Sequence, residues 1–167
     1  MFPELATGAI FLSCAAIIAA DDYRYRIVPD LVLVIVFATG AFYGFWTAGR
    51  SGEGWLETLP ALAFRSAVPG LSALAAALFY RFFRGREGLG LGDVKLMAAA
   101  GIWLPVTGSF YALAAASIAA LVFTVAIALW RGKRAALTDS LPFAVFLAPT
   151  FWLLWVLVET GVCPALD

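Results

Sequence analysis

The chain has no histidine among its 167 residues, and that absence removes much of the usual catalytic repertoire. Ser–His catalysis is out of reach, and so is the H-E-x-x-H site of metalloproteases. Imidazole is also the side chain that titrates nearest neutrality, so proton transfer must fall to other groups. Cysteine is nearly as scarce. Cys14 and Cys163 form no C-x-x-C pair, so neither a zinc site nor a disulfide framework is indicated. Charge is thin as well: 13% of residues are Asp, Glu, Lys or Arg, where a water-soluble domain carries roughly a quarter. The net charge of zero singles out no partner, and nothing implies nucleic acid, a metal or a cofactor.

Hydrophobic residues fill the space, at 63% of the chain with a mean hydropathy of +0.95. Charge-free runs cover 5–20, 31–49, 66–80, 96–130 and 140–158, and a membrane span needs about 20 mostly apolar residues. The first run has only Glu4 before it, so it lacks the positive stretch of a cleavable signal peptide. The run 96–130 would make one helix of about 52 Å, too long for a single crossing. Pro105-Val106-Thr107-Gly108 divides it, since proline removes a donor and glycine permits a turn. The expected fold is all-α: one membrane-embedded domain over 1–167, with six spans at about 5–21, 31–48, 66–83, 93–105, 108–130 and 141–158. The fourth is short enough to stop before the far side or to thin the bilayer.

Lys and Arg set the direction. Arg24 and Arg26, then Arg81, Arg84, Arg86 and Lys95, then Arg131, Lys133 and Arg134 fall on one face, and Arg50 alone on the other. This pattern places both termini outside and three loops in the cytoplasm. Arg65 is expected to snorkel to the outer interface from the start of the third helix, where Pro69-Gly70 should loosen the chain.

On the cytoplasmic side lie Asp21, Asp22, Asp30, Glu87, Asp93 and Asp139. Asp30 follows Pro29 and precedes an apolar run, as a helix N-cap does. A cap or a loop charge suits Asp139, and a solvated loop suits Glu87. Asp21 and Asp22 are different, because they end a helix where the macrodipole disfavours acids. Asp93 opens the fourth span after Gly88-Leu89-Gly90-Leu91-Gly92. That stretch reads as a capped linker or as backbone freedom for bringing Asp93 to a partner. Lys95 is placed to hold a lipid headgroup or to act on a nearby carboxylate.

Asp22-Tyr-Arg-Tyr-Arg-Ile-Val28-Pro29-Asp30 resembles the first signature of type IV prepilin peptidases, an aspartate followed by an aliphatic residue, proline and Asn or Asp. Gly90-Leu91-Gly92-Asp93-Val94-Lys95 resembles the second, G-x-G-D-x-K, and Leu141-Pro142-Phe143 is loosely similar to the start of the last helix. The resemblance implies an intramembrane aspartyl protease of the bacterial inner membrane, with its active site towards the cytoplasm. It would remove the leader from pilin-like precursors. Asp22 and Asp93 would be the catalytic pair, supported by Gly90, Gly92, Lys95, Asp21, Pro29 and Asp30. Longer relatives carry a cysteine-tetrad loop and methylate the new N-terminus. Nothing in this chain supplies that loop, so methyl transfer is not expected. The length resembles the compact peptidases of tight-adherence (Flp) pilus systems, which makes a Flp-like prepilin the expected substrate, met among membrane lipid.

Two carboxylates close together cannot both ionise cheaply, so the pair would hold one proton and activate water. Which one is the base stays open, because a coupled pair titrates as a unit. With nine basic and six acidic residues on that face, a basic leader would rely on the local acidic cluster and on helix packing. Ala98, Ala99, Ala100 and Gly101 are candidates for letting a substrate helix approach closely. Two other classes compete: a proton- or ion-coupled transporter subunit, and a non-enzymatic pilus-assembly scaffold.

Overall fold

A computed structural model describes residues 2–85, 88–131 and 141–162, all of them helix or short connection. Six helices appear among the described residues: α1 Phe2–Tyr25, α2 Asp30–Ser51, α3 Trp55–Arg84, α4 Leu91–Gly101, α5 Val106–Arg131 and α6 Ala144–Glu159. Four of them, α1, α2, α3 and α5, are long and apolar enough to cross a membrane, so the protein is a polytopic membrane protein. The 16-residue α6 is shorter. With 11 residues, α4 reaches about 16 Å, roughly half the thickness of a hydrocarbon core. It enters the bundle and turns back within it.

The helix ends follow from local chemistry. Gly52 and Gly85 close α2 and α3 in the left-handed conformation, where glycine carries no Cβ penalty. Arg26 closes α1 in the same region at φ 55°, and its N–H reaches the Asp22 carbonyl at 3.0 Å. A non-glycine residue there costs about 1–2 kcal/mol. The third helix begins at Trp55, well before the expected 66, and continues through Pro60 and Pro69. Arg65 therefore lies inside the helix rather than at its start. It lines a cavity of about 180 Å3 with Ser51, Glu53 and Thr58, at the end of the bundle opposite Asp22.

The centre of the bundle is α4, which touches α2, α3, α5 and α6. Its turn is held by Trp103, which stacks on Phe11 at 4.5 Å and on Tyr43 at 5.6 Å and meets Trp155 edge-on at 5.1 Å. The Trp103 indole N–H donates to the Val36 carbonyl at 2.9 Å. Small residues bring α3 and α4 together, as membrane packing requires. A Cβ on Gly70 would stand 2.7 Å from the Ala98 Cβ, and one on Gly101 would stand 2.8 Å from the Arg65 carbonyl oxygen. The Ser66 hydroxyl adds a bond to the Ala98 carbonyl at 2.8 Å. This corrects one expectation: the face around Ala98, Ala99, Ala100 and Gly101 is not open to a substrate helix. Ala99, Ala100 and Gly101 are buried, and α3 occupies the close approach that the small residues permit.

Candidate active site: two aspartates on one cleft

The open end of α4 meets the last turn of α1 and the first turns of α2 and α6. A cleft of about 380 Å3 lies there, and both Asp22 and Asp93 line it. The rest of the lining includes Arg26, Val28, Asp30, Gly90, Gly92 and Lys95. Residues far apart in sequence thus converge on one space, and direct contacts join the two motifs. At Gly92 a Cβ would stand 2.9 Å from Val28 Cγ2, so the absence of a side chain lets the mouth of α4 rest against the α1–α2 connection. Lys95 Nζ donates to Asp30 Oδ1 at 2.7 Å.

Each aspartate sits at the start of a helix it can serve. Asp22 is only 7% exposed, and its Oδ2 accepts the Val145 N–H at 3.2 Å across 123 residues of sequence. The Ala144 N–H also reaches that carboxylate. The N-cap of α6 is Phe143, which has no capping side chain, so the first N–H groups of α6 find their acceptor on α1. Asp93 occupies the third position of α4 and accepts from the N–H of Gly90, the cap. That is the carboxylate half of a capping box. Asp93 stands at the mouth of α4, outside the four spanning helices. Burial first, and the nearby charge of Asp22 second, push its pKa up to about 6.

The other expected residues divide. Gly90, Gly92, Lys95 and Asp30 line the cleft, whereas Asp21 and Pro29 do not. Asp30 does not cap α2: Pro29 takes that position with no side-chain cap, and Asp30 is the first helical residue. An acid there is favoured by the helix dipole and finds its partner in Lys95 rather than in a backbone N–H. The expectations for Glu87, Asp139 and Cys163 lie outside the described residues. Among the described residues no group of three or more Cys, Asp or Glu gathers as a metal would need. The contribution of the α6 N-terminus is missing from the sequence reading. Its signal was the lack of Ser, Thr, Asp or Asn at position 143, just before an apolar helix.

A sequence profile described as the type IV leader peptidase family matches residues 9–125. The chain belongs to that family. The prepilin leader peptidase/N-methyltransferase of Burkholderia pseudomallei (strain 1026b) is 34% identical over 155 residues, covering 87% of this chain and 45% of that protein. The enzyme of the same name from Xanthomonas campestris pv. campestris is 29% identical over 152 residues, covering 89% and 49%. Leader peptidase HopD of Escherichia coli is 46% identical over 72 residues, covering 41% and 44%. The chain thus spans about half the length of the curated relatives it matches. No solved structure matches it significantly. This membership of the leader peptidase family agrees with the resemblance carried by the motifs around Asp22 and Asp93.

Proposed function

We propose that the protein is an intramembrane aspartyl endopeptidase that removes the leader of a pilin-like precursor at the cytoplasmic face of the inner membrane. The observation that carries this reading is the shared cleft: two carboxylates from non-adjacent helices, one in the last turn of α1 and one in the first turn of α4, border one space open to a peptide. In this reading Asp22, which accepts the Val145 and Ala144 N–H groups of α6, is the ionised partner. Asp93 faces Asp22 and, with its pKa pushed up to about 6, is the partner that carries the proton as pH falls towards that value. Asp22 then takes a proton from water as the water oxygen attacks the scissile carbonyl, and Asp93 gives its proton to the carbonyl oxygen. In the collapse the C–N bond breaks, the leaving amine takes the proton held by Asp22, and Asp93 recovers its own from the intermediate's hydroxyl. No covalent enzyme intermediate forms.

The family membership supports leader-bearing precursors as substrates, and a Flp-like prepilin is the first class to test. Leader hydrolysis is the reaction proposed for the cleft that Asp22 and Asp93 line. Three acidic and two basic side chains line the cleft, Asp22, Asp30 and Asp93 against Arg26 and Lys95, which gives a basic leader local acidic partners. The test is incubation of purified protein with a Flp-like prepilin in detergent, read by the mass of the mature product. Wild type should cut once, at the leader junction, while Asp22→Asn and Asp93→Asn leave the precursor whole. Cleavage by either variant at more than a few per cent of the wild-type rate would sink the assignment. Proton or ion flux in proteoliposomes without cleavage would favour the transporter reading instead.

A further inference from the structure

Asp93 borders two spaces. Towards the polar end it faces the cleft shared with Asp22. On its other side it closes a recess of about 240 Å3 between α3, α4, α5 and α6. The chemistry of the two differs sharply. The cleft has charged Asp30, Arg26 and Lys95 around the aspartates, whereas Met97, Leu113, Phe143 and Leu147 wall the recess. Its other polar lining residue is Ser72, whose hydroxyl is already committed to the Pro69 carbonyl at 2.8 Å. Met97 lies one turn beyond Asp93 along α4, so the recess runs inward, away from the polar end. Space remains because Ala73 and Ala76 of α3 present only methyl groups, while Phe110 of α5 forms part of the far wall.

A peptide bond seated between Asp22 and Asp93 would have polar surroundings on one flank and this apolar recess on the other. We propose that the recess is the specificity pocket for one bulky apolar side chain on the membrane-embedded flank of the scissile bond. Ala73 and Ala76 set its depth and Phe110 limits its length. The inference rests on the peptidase reading above and names what that site selects. A Leu- or Phe-sized side chain seated there would gain dispersion contacts from Met97, Leu113, Phe143 and Leu147. Discrimination by a pocket of this kind is modest, about 10–200-fold for a small change in side-chain size.

The test uses prepilin substrates that differ only at that flanking residue, as Leu, Trp or Ala. Wild type should cut the Leu substrate at least about tenfold better in kcat/KM than the Ala substrate. Ala76→Phe fills the recess and should lower that Leu-over-Ala ratio about tenfold or more. Phe110→Ala lengthens the recess and should raise Trp relative to Leu. Leu71→Phe, on the same helix but exposed and away from the recess, should keep the wild-type ratio. Equal losses on both substrates in Ala76→Phe, or no change in ratio, would overturn the pocket. If Ala76→Phe does not fold, an unchanged Trp-over-Leu ratio in Phe110→Ala overturns it. Wild type that cuts every substrate without regard to size overturns the pocket alone. Wild type that cuts none, like Asp93→Asn, overturns the peptidase reading and the pocket together.

Discussion

Replacing Asp93 by Asn should destroy activity and stabilise the fold, and the size of the second effect follows from the site. Asp93 is held with a pKa of about 6 against an ordinary 3.8, because it is buried and faces Asp22. Each unit of such a shift is worth about 1.4 kcal/mol, so two units set a ceiling of about 3 kcal/mol. Partial exposure at the cleft mouth should reduce this to about 1–2 kcal/mol. The sign is fixed by linkage. The folded state binds the proton more tightly than the unfolded state. Wild-type stability therefore falls as pH rises from about 4 through about 6, then levels off. The Asn variant lacks that slope, and its amide oxygen can still accept the Gly90 N–H. Unfolding by SDS in mixed micelles, followed through tryptophan fluorescence, measures the difference. At pH 8 Asp93→Asn should be the more stable protein by about 1–2 kcal/mol, and at pH 4 the two should agree. An Asn variant that is equal or weaker at pH 8, or a difference independent of pH, would refute the reasoning.

Other positions give sharper structural tests. Gly92→Ala puts a Cβ 2.9 Å from Val28 Cγ2; cleavage should fall about 10–100-fold with the fold intact, and adding Val28→Ala should recover part of it. Trp103→Ala removes the stacking partner of Phe11 and Tyr43 and the bond to Val36, and should cost about 3–5 kcal/mol in the same unfolding assay. The side chains of Lys95 and Asp30 are 56% and 72% exposed, so Lys95→Ala should change stability by less than about 1 kcal/mol. If their pair aligns the mouth of α4, cleavage should drop further than stability does, and the swap of Lys95→Asp with Asp30→Lys should restore it.

The apolar runs revealed the helices because a bilayer demands unbroken hydrophobic length, and the break at Pro105 was visible because proline and glycine act locally. That Asp22 and Asp93 belong to one site was implied by the family resemblance of their two motifs, and both side chains line one cleft. What escaped the sequence reading was non-local. The polar opening of α3, with Glu57 and Arg65, looks like a loop by charge, yet its backbone continues the helix from Trp55. The small residues of α4 announced a close approach without naming the partner, and the partner is α3 itself. Asp22 meets Val145 across 123 residues, a contact that no local pattern encodes. Asp30 has the composition of a cap, but Pro29 sets the helix start one residue too early for it to act as one.

The most direct measurement is a double-mutant cycle on single-turnover cleavage of a Flp-like prepilin by wild type, Asp22→Asn, Asp93→Asn and the double variant. If the two carboxylates act as one unit, each single substitution loses as much as both together, and the double variant is no slower than either. Losses that multiply, or a single variant that still cleaves well, would show that the two aspartates do not share the work.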